Sequence, residues 1–514
     1  MKLNNFSKIT SNILGSRLTG FFRDVLFANY LGANMLSDAF LFAYRLPNLF
    51  RRIFAEGAVN SVLIPMFINQ QKENEHRAVE FFWSVFLIFL LLTSILSIFI
   101  FIFKFDVVSV LAPGFIDNKD QFIFAGQLLT ITFPFLIFVT LSAILSSILN
   151  INGKFFLPSF LSVILNTCMI LAIFLFKSNA HFAIAWSLIV AGAIQLSLLF
   201  INLKSLNLIW KLSINGIISN IQNLKIFLKR FSFSVFGSGI VQLNIFISMI
   251  FASLVGEGTI SHLYYADRII DLPFALIAVA ISITLLPYLS KNILNEEKNA
   301  DAFNQTIIFC LIFSIPSVVG LYYLSFDIVN ILFGRGEFLS SDVLVTSNIL
   351  IVYSLSLPGY MFAKICNQVF FSNERVDLPV FASIPTFLLN LILCFFLYQS
   401  LGAIGLAIAS TTSVWLNVVI QIIFIKKFFF SFYQKINIID YVKLTKILFC
   451  SFLMLVTIIF IENLFTINLI FDLFIKIFFG VLIYFLSLKL LRIDEIKLFY
   501  LFTNFLIQIE ITTA

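Results

Sequence analysis

The chain has 514 residues, 60% of them hydrophobic and 11% charged, with a formal net charge of +7. Soluble domains carry about 25% charged residues, so the composition excludes one and leaves an integral membrane protein made of helices or a closed barrel. Apolar runs of about 20 residues, rather than alternating segments of about 10, select helices.

Length and flanking polar residues define about fourteen spans, near 8–31, 36–69, 79–103, 122–150, 158–177, 181–203, 226–254, 261–290, 303–324, 342–371, 379–398, 402–425, 441–461 and 472–489. The expected fold is an all-α polytopic membrane protein. Span 1 carries Arg17, Arg23 and Asp24, which the apolar region of a signal peptide would not tolerate. Arg17 and Asp24 are seven residues apart and share a helix face, with Gly20 between them. In span 2, Asp38, Arg45 and Arg52 recur every seven residues as one stripe, Glu56 follows Arg52 at ion-pair spacing, and Pro47 predicts a kink.

Residues 204–224 place Trp210, Ile214, Ile217, Ile218, Ile221 and Leu224 at helical spacing, which reads as an interfacial amphipathic helix. Span 8 holds Asp267, Arg268 and Asp271; in span 10, Lys364 is the mid-segment charge. Lys476, near the outer end of span 14, is expected to snorkel.

Two stretches recur at one offset. Asp106–Leu111 resembles Asp327–Leu332, and Leu157–Val163 resembles Leu378–Ile384, each 221 residues on. Six spans separate equivalent helices, so the copies share an orientation. This predicts two six-helix lobes related by a parallel repeat, with the substrate site between them. The expected domains are 1–203, the linker 204–225, 226–427, and 428–514 with two extra helices and a tail.

With the N-terminus in the cytoplasm, cytoplasmic segments hold 21 Lys and Arg and the opposite loops 4. That asymmetry predicts cytoplasmic termini and accounts for the positive charge without nucleic acid. Cys168, Cys310, Cys366, Cys394 and Cys450 lie in apolar segments without CxxC spacing, and His76, His181 and His262 are scattered, so no metal site is expected.

The copies differ electrically. Arg17, Arg23, Asp38 and Arg52 correspond to Ser238, Asn244, Thr259 and Pro273. A charge at the bilayer centre costs about 3 kcal/mol on insertion scales, so such residues usually face a watery cavity and mark a substrate path. Guanidinium forks suit phosphate or carboxylate. The reading is a transporter with a cationic central cavity. Structural alternatives stand beside it: ion pairs with Asp24, Asp267 or Asp271 for the span arginines, flanking or snorkelling roles for Arg51 and Arg45, and a helix-dipole role for Asp38. A polytopic enzyme would need paired loop carboxylates or a usable histidine, and the sequence offers neither.

These residues also carry a family resemblance. Ser16-Arg17-Leu-Thr-Gly20-Phe-Phe-Arg23-Asp24, Ser37-Asp38-Ala-Phe, Leu46-Pro-Asn-Leu-Phe-Arg51-Arg52-Ile-Phe-Ala-Glu56-Gly57-Ala58 and Tyr264-Tyr-Ala-Asp267-Arg268 resemble the MurJ (MviN) lipid II flippases, of the multidrug/oligosaccharidyl-lipid/polysaccharide exporter superfamily. The resemblance covers essentially the whole chain. It implies translocation of lipid-linked peptidoglycan precursor from the inner to the outer leaflet of the bacterial cytoplasmic membrane. It implies that Arg23, Asp24 and Arg268 engage the substrate diphosphate, and that Arg17, Asp38 and Arg52 are further cavity charges. Glu56 matches a cytoplasm-side gate residue whose partner position, often arginine, here is Lys364. Spans 13 and 14 match a groove for the polyprenyl tail.

Two departures follow. Family members that bind sodium use acidic residues in spans 7 and 11, where this chain has Ser248, Asn390 and Cys394. A sodium site of that design is therefore not expected, no cofactor is implied, and membrane potential is the expected driving force. The segment after span 10, Asn373-Glu-Arg-Val-Asp-Leu-Pro379, matches its family counterpart loosely. Expected partners are lipid II, membrane lipids and other cell-wall synthesis proteins, around a monomer. The rival reading is an exporter of another lipid-linked oligosaccharide or of drugs.

Overall fold

The structure, a computed structural model, describes residues 3–204, 220–292, 295–437, 440–464 and 468–493. Every regular element among them is helical, because in hydrocarbon each backbone N–H and C=O must find a partner within its own segment. Contacts divide the chain into two units, residues 1–261 and 262–512.

The first unit contains α1 (Leu3–Leu31), α2 (Met35–Arg51), a π-helical stretch (Arg52–Val59), α3 (Asn60–Glu73), α4 (Glu75–Ile102), α5 (Lys104–Leu111), α6 (Lys119–Thr132), α7 (Phe135–Ile151), α8 (Phe156–Leu175), α9 (Ala180–Lys204) and α10 (Ile221–Val255). α1 packs on α8, α8 on α9, α2 on α6 and α7 on α9. α10, which the repeat would start in the second copy, sets Phe231 against Phe54 and Phe89 of the first unit, with ring centroids 6.0 and 5.0 Å apart. The expected amphipathic linker falls mostly at 205–219, outside the described residues.

α11 (Thr259–Lys291) begins in the first unit and continues into the second. The second unit follows with α12 (Glu296–Tyr323), α13 (Ser325–Phe333), α14 (Ser340–Ser354), α15 (Leu357–Ser372), α16 (Asp377–Phe428), α17 (Phe430–Lys435), α18 (Tyr441–Leu464) and α19 (Leu469–Leu490). Here α18 pairs with α19, α12 packs on α18 and α15 on α16.

Among the described residues, eight helices are long and apolar enough to cross a bilayer, and α14 with α15, bent by 41°, makes a ninth. α16 is one of the eight, yet its 52 residues would reach about 78 Å at 1.5 Å per residue, more than twice the hydrocarbon thickness. It breaks at Gly402, whose φ of 55° and ψ of −134° reverse the chain between the expected spans 379–398 and 402–425. α1, α10 and α11 run 29, 35 and 33 residues, each long enough to span. The architecture is consistent with fourteen spans.

The repeat reappears in element starts. Glu75 and Glu296, Lys104 and Ser325, Lys119 and Ser340, and Phe156 and Asp377 are each 221 residues apart. Both copies also break a span at equivalent places, before Phe135 and before Leu357.

Prolines inside helices leave carbonyls without donors, and neighbouring helices supply them. Pro47 cannot donate to the Ala43 carbonyl, and the buried Thr132 hydroxyl of α6 donates to it instead at 2.8 Å. Pro316 frees the Ile312 carbonyl, to which Tyr484 of α19 donates at 2.5 Å. At the α14–α15 break, Thr411 and Trp415 donate to the carbonyls of Val352 and Leu355 at 3.2 and 3.0 Å. α2 continues through Pro47, with Thr132 supplying a donor to the freed carbonyl. The departure from α geometry comes later, in the π stretch, which adds a residue per turn and rotates the face beyond Val59.

Lys476 does not snorkel. It is 6% exposed, and its ammonium lies 3.4 Å from Asp327 and 3.8 Å from Glu462, while Tyr323 donates to Glu462 at 2.6 Å. The cation ties α19 to α13 and α18.

Candidate substrate-binding site

Arg23 and Asp24 of α1 sit in one hydrogen-bond network. Arg23 is 7% and Asp24 2% exposed. Arg23 Nε and Nη2 both donate to one Asp24 carboxylate oxygen, at 3.0 and 2.6 Å. Nη1 donates to the Tyr44 hydroxyl at 3.1 Å and to Asn166 Oδ1 at 2.8 Å. The guanidinium lies 5.3 Å from the ring centroid of Phe27 and 5.6 Å from that of Tyr44. Asn166 in turn donates to the Ser16 carbonyl and the Thr19 hydroxyl at 3.1 and 3.2 Å. Gly20 lets α8 come this close, since a Cβ there would sit 3.3 Å from the Asn166 amide nitrogen.

Arg23 thus joins α1, α2 and α8, and the structural ion pair foreseen as its alternative is present. Asp24 takes its neighbour Arg23 as partner, although the seven-residue spacing had set it on the face of Arg17. Arg17 is half-buried.

The stripe on α2 splits into different environments. Asp38 is 1% exposed, and one carboxylate oxygen accepts the Ser261 N–H at 2.8 Å and the Ser261 hydroxyl at 2.6 Å. Ser261 lies in the first turn of α11, so Asp38 caps that helix rather than serving the dipole of its own. Arg45 is half-buried and Arg52 exposed. Arg51 Nε donates to Asn48 Oδ1 at 3.2 Å. The side chain of Glu56 lies outside the described residues.

In the second unit, Arg268 stacks over the buried Tyr264 ring, 4.6 Å from its centroid, and pairs with Asp271 at 3.3 Å. The side chains of Arg268 and Asp271 are 28% and 50% exposed. Asp267, adjacent in sequence, is exposed. Lys364, on α15, is half-buried. His262 meets Asp342 at 3.1 Å, while a second Asp342 oxygen accepts the Leu339 N–H at 2.8 Å. No group of three or more His, Cys, Asp or Glu able to hold a metal occurs among the described residues.

Two contributors, Tyr44 and Asn166, escaped the sequence reading, and Tyr264 entered it only as part of a motif, without a role. Asn166 carried a usable signal, an amide inside an otherwise apolar span, and Tyr264 precedes Arg268 by one helical turn. Chemically, the arrangement offers one guanidinium bound into a polar network and another, partly exposed, steadied by an aromatic face.

A family model described as "Lipid II flippase MurJ" matches residues 27–480. The chain is 34% identical over 415 residues to the probable lipid II flippase MurJ of Buchnera aphidicola subsp. Acyrthosiphon pisum, covering 78% of this chain and 79% of that one. It is 36% identical over 396 residues to that of Aquifex aeolicus, covering 74% and 76%. Among solved structures it resembles "Lipid II flippase MurJ, inward closed conformation", with a TM-score of 0.83, 29% identity, and 95% and 99% of the two chains covered. An inward-facing multidrug resistance MATE family transporter of the MOP superfamily shares the fold, with a TM-score of 0.60 at 16% identity over 82% of this chain and 96% of that one.

Proposed function

Because the chain belongs to the lipid II flippase MurJ family, we propose that its buried and half-buried arginines serve the translocation of lipid II across the membrane it spans. The protein is a multi-pass membrane transporter that flips lipid II, and not an enzyme. The observation that carries this is the family match over residues 27–480. The membrane is the bacterial cytoplasmic membrane, with both termini in the cytoplasm. The protein works by alternating access as a monomer. Arg17, Arg52 and Arg268 meet the substrate diphosphate, Asp38 holds α11 in place, and Glu56 and Lys364 act as a gate.

Arg23 has a different part in this reading. Its donors are occupied by Asp24, Tyr44 and Asn166, so it sets local shape and field rather than gripping phosphate. Arg268 is the better candidate for direct contact. It is partly exposed, held flat by Tyr264, and paired with a carboxylate that is itself half in solvent, an interaction worth little on its own.

The test is rescue of a bacterial host depleted of its own flippase, scored by labelled lipid II reaching the outer leaflet. Wild-type chain rescues. Arg268→Ala inserts and folds normally but flips at least tenfold more slowly, the order expected for losing one charge-assisted phosphate contact. Full rescue by Arg268→Ala removes it from the site. Rescue by neither, with both inserted, turns the cargo assignment toward another lipid-linked oligosaccharide.

We also propose that membrane potential, not sodium, drives the cycle. A positive charge crossing 100 mV is worth about 2.3 kcal/mol. In proteoliposomes, replacing sodium with potassium leaves flipping unchanged, and collapsing the potential slows it. Dependence on sodium would refute this.

A further inference from the structure

Arg268 does not stand on a purely cationic surface. Asp267 precedes it, Asp271 follows three residues on, and both aspartates are exposed. An exposed carboxylate within an apolar span does not face hydrocarbon, so this side of α11 borders water. Asp267, Asp271 and Phe274 recur at i, i+4 and i+7 and share one helix face. Ala266, Ile269 and Ile270, on other faces, are buried.

α15 meets the same face within the second unit. The ring of Tyr360 approaches that of Phe274, with centroids 5.7 Å apart, and its hydroxyl lies within electrostatic reach of both Asp267 and Asp271. Tyr360 is 38% exposed, so it too borders the water. Lys364, four residues further on, shares its face of α15. Two cations, two carboxylates and two aromatic rings thus occupy facing stretches of α11 and α15.

The carboxylates are the unexpected part. If Arg268 meets the diphosphate, as proposed above, Asp267 and Asp271 lie within a helical turn of it and repel the phosphate charge. A site for phosphate alone is weakened by them. An ionised carboxylate only accepts hydrogen bonds, so the ligand that offsets this repulsion carries donors close to its phosphate. A sugar joined to a diphosphate does so, through its ring hydroxyls. The two aspartates are about 6 Å apart along the helix at 1.5 Å per residue, a spacing that one sugar ring can bridge, and an aromatic ring packs against the C–H face of such a ring. A phosphate lipid without a sugar has nothing to offer the carboxylates and meets only their charge. Specificity is a difference of affinities, and a charge that the wrong ligand cannot satisfy creates one.

We propose that Asp267 and Asp271, with Tyr360, read the sugar next to the diphosphate, and that their charge turns away phosphate lipids that carry none. This rests on the assignment of the diphosphate to Arg268. It explains how a cationic surface in a membrane full of phosphate lipids stays open to one minor lipid.

The experiment offers the purified full-length chain four lipids separately: lipid II, the same polyprenyl diphosphate without sugar, a polyprenyl-diphosphate oligosaccharide without peptide, and phosphatidic acid. Occupancy is read by native mass spectrometry, and Tm reports the fold of each variant. The wild type is expected to take lipid II at least about tenfold better than the bare diphosphate lipid. In the double variant Asp267→Ala with Asp271→Ala, that ratio falls at least about tenfold at unchanged Tm, because lipid II binds more weakly while the bare diphosphate lipid and phosphatidic acid bind more tightly. A merely structural role would weaken all of them together. Tyr360→Phe weakens lipid II alone, and Arg268→Ala weakens both diphosphate lipids alike. A wild type that does not distinguish sugar-bearing from bare diphosphate lipid, or a double variant that keeps the wild-type ratio or loses every ligand in parallel, overturns the proposal. A wild type that prefers the peptide-free oligosaccharide lipid to lipid II overturns the cargo assignment instead and keeps the sugar-reading aspartates.

Discussion

Arg23→Ala is expected to lower the stability of the N-terminal half by about 3–5 kcal/mol, seen as a large fall in the apparent Tm of the purified protein. The substitution leaves Asp24, 2% exposed, without the guanidinium that donates to it twice, and strips Asn166 and Tyr44 of a shared donor. Most of the cost is the stranded carboxylate. Replacing both partners by apolar residues of similar size, Arg23→Met with Asp24→Leu, is therefore expected to recover most of the stability. On the proposed reading, the same double variant is expected not to flip lipid II, because it removes the field and the fixed geometry that Arg23 gives its surroundings. A single variant as stable as the wild type would show that the pair is not buried in the membrane-embedded protein. A flipping double variant would make the network purely structural.

Asp38→Ala is expected to cost about 2–3 kcal/mol. Hydrogen bonds to a charged group are worth about 1.5–3 kcal/mol, and here one oxygen receives both the backbone N–H and the hydroxyl of Ser261. The carboxylate also faces the first turn of α11, where its negative charge is favoured by the positive end of the helix dipole. Asp38→Asn keeps an acceptor and loses the charge, so it should cost about half as much. Ser261→Ala removes the hydroxyl but not the N–H, and should cost about 1 kcal/mol. Equal effects of Asp38→Ala and Asp38→Asn would mean that the charge contributes nothing, and the capping account would fail.

These two residues show how far the chain could be read before its structure. The stripe of Asp38, Arg45 and Arg52 is real as a heptad spacing, and α2 carries it. Yet its members end up buried, half-buried and exposed in that order, and the π stretch after Arg51 rotates whatever follows. The spacing of Arg17 and Asp24 named a shared face, while the carboxylate took the arginine beside it. Lys476 looked like an interfacial lysine and is held by Asp327 and Glu462.

What the sequence by itself determined is the solvent and therefore the secondary structure. Long apolar runs must lie in hydrocarbon, where only a helix satisfies its own backbone, and the 221-residue offset between copies survives in the element starts. The motifs around Arg17–Asp24, Pro47–Ala58 and Tyr264–Arg268 carried the family. Only the tertiary structure decided the partners. Periodicity says which face of its own helix a side chain occupies, but Asn166 meets Arg23 from 143 positions away and Ser261 meets Asp38 from 223. Such meetings depend on which helices abut and how closely, down to the missing Cβ of Gly20.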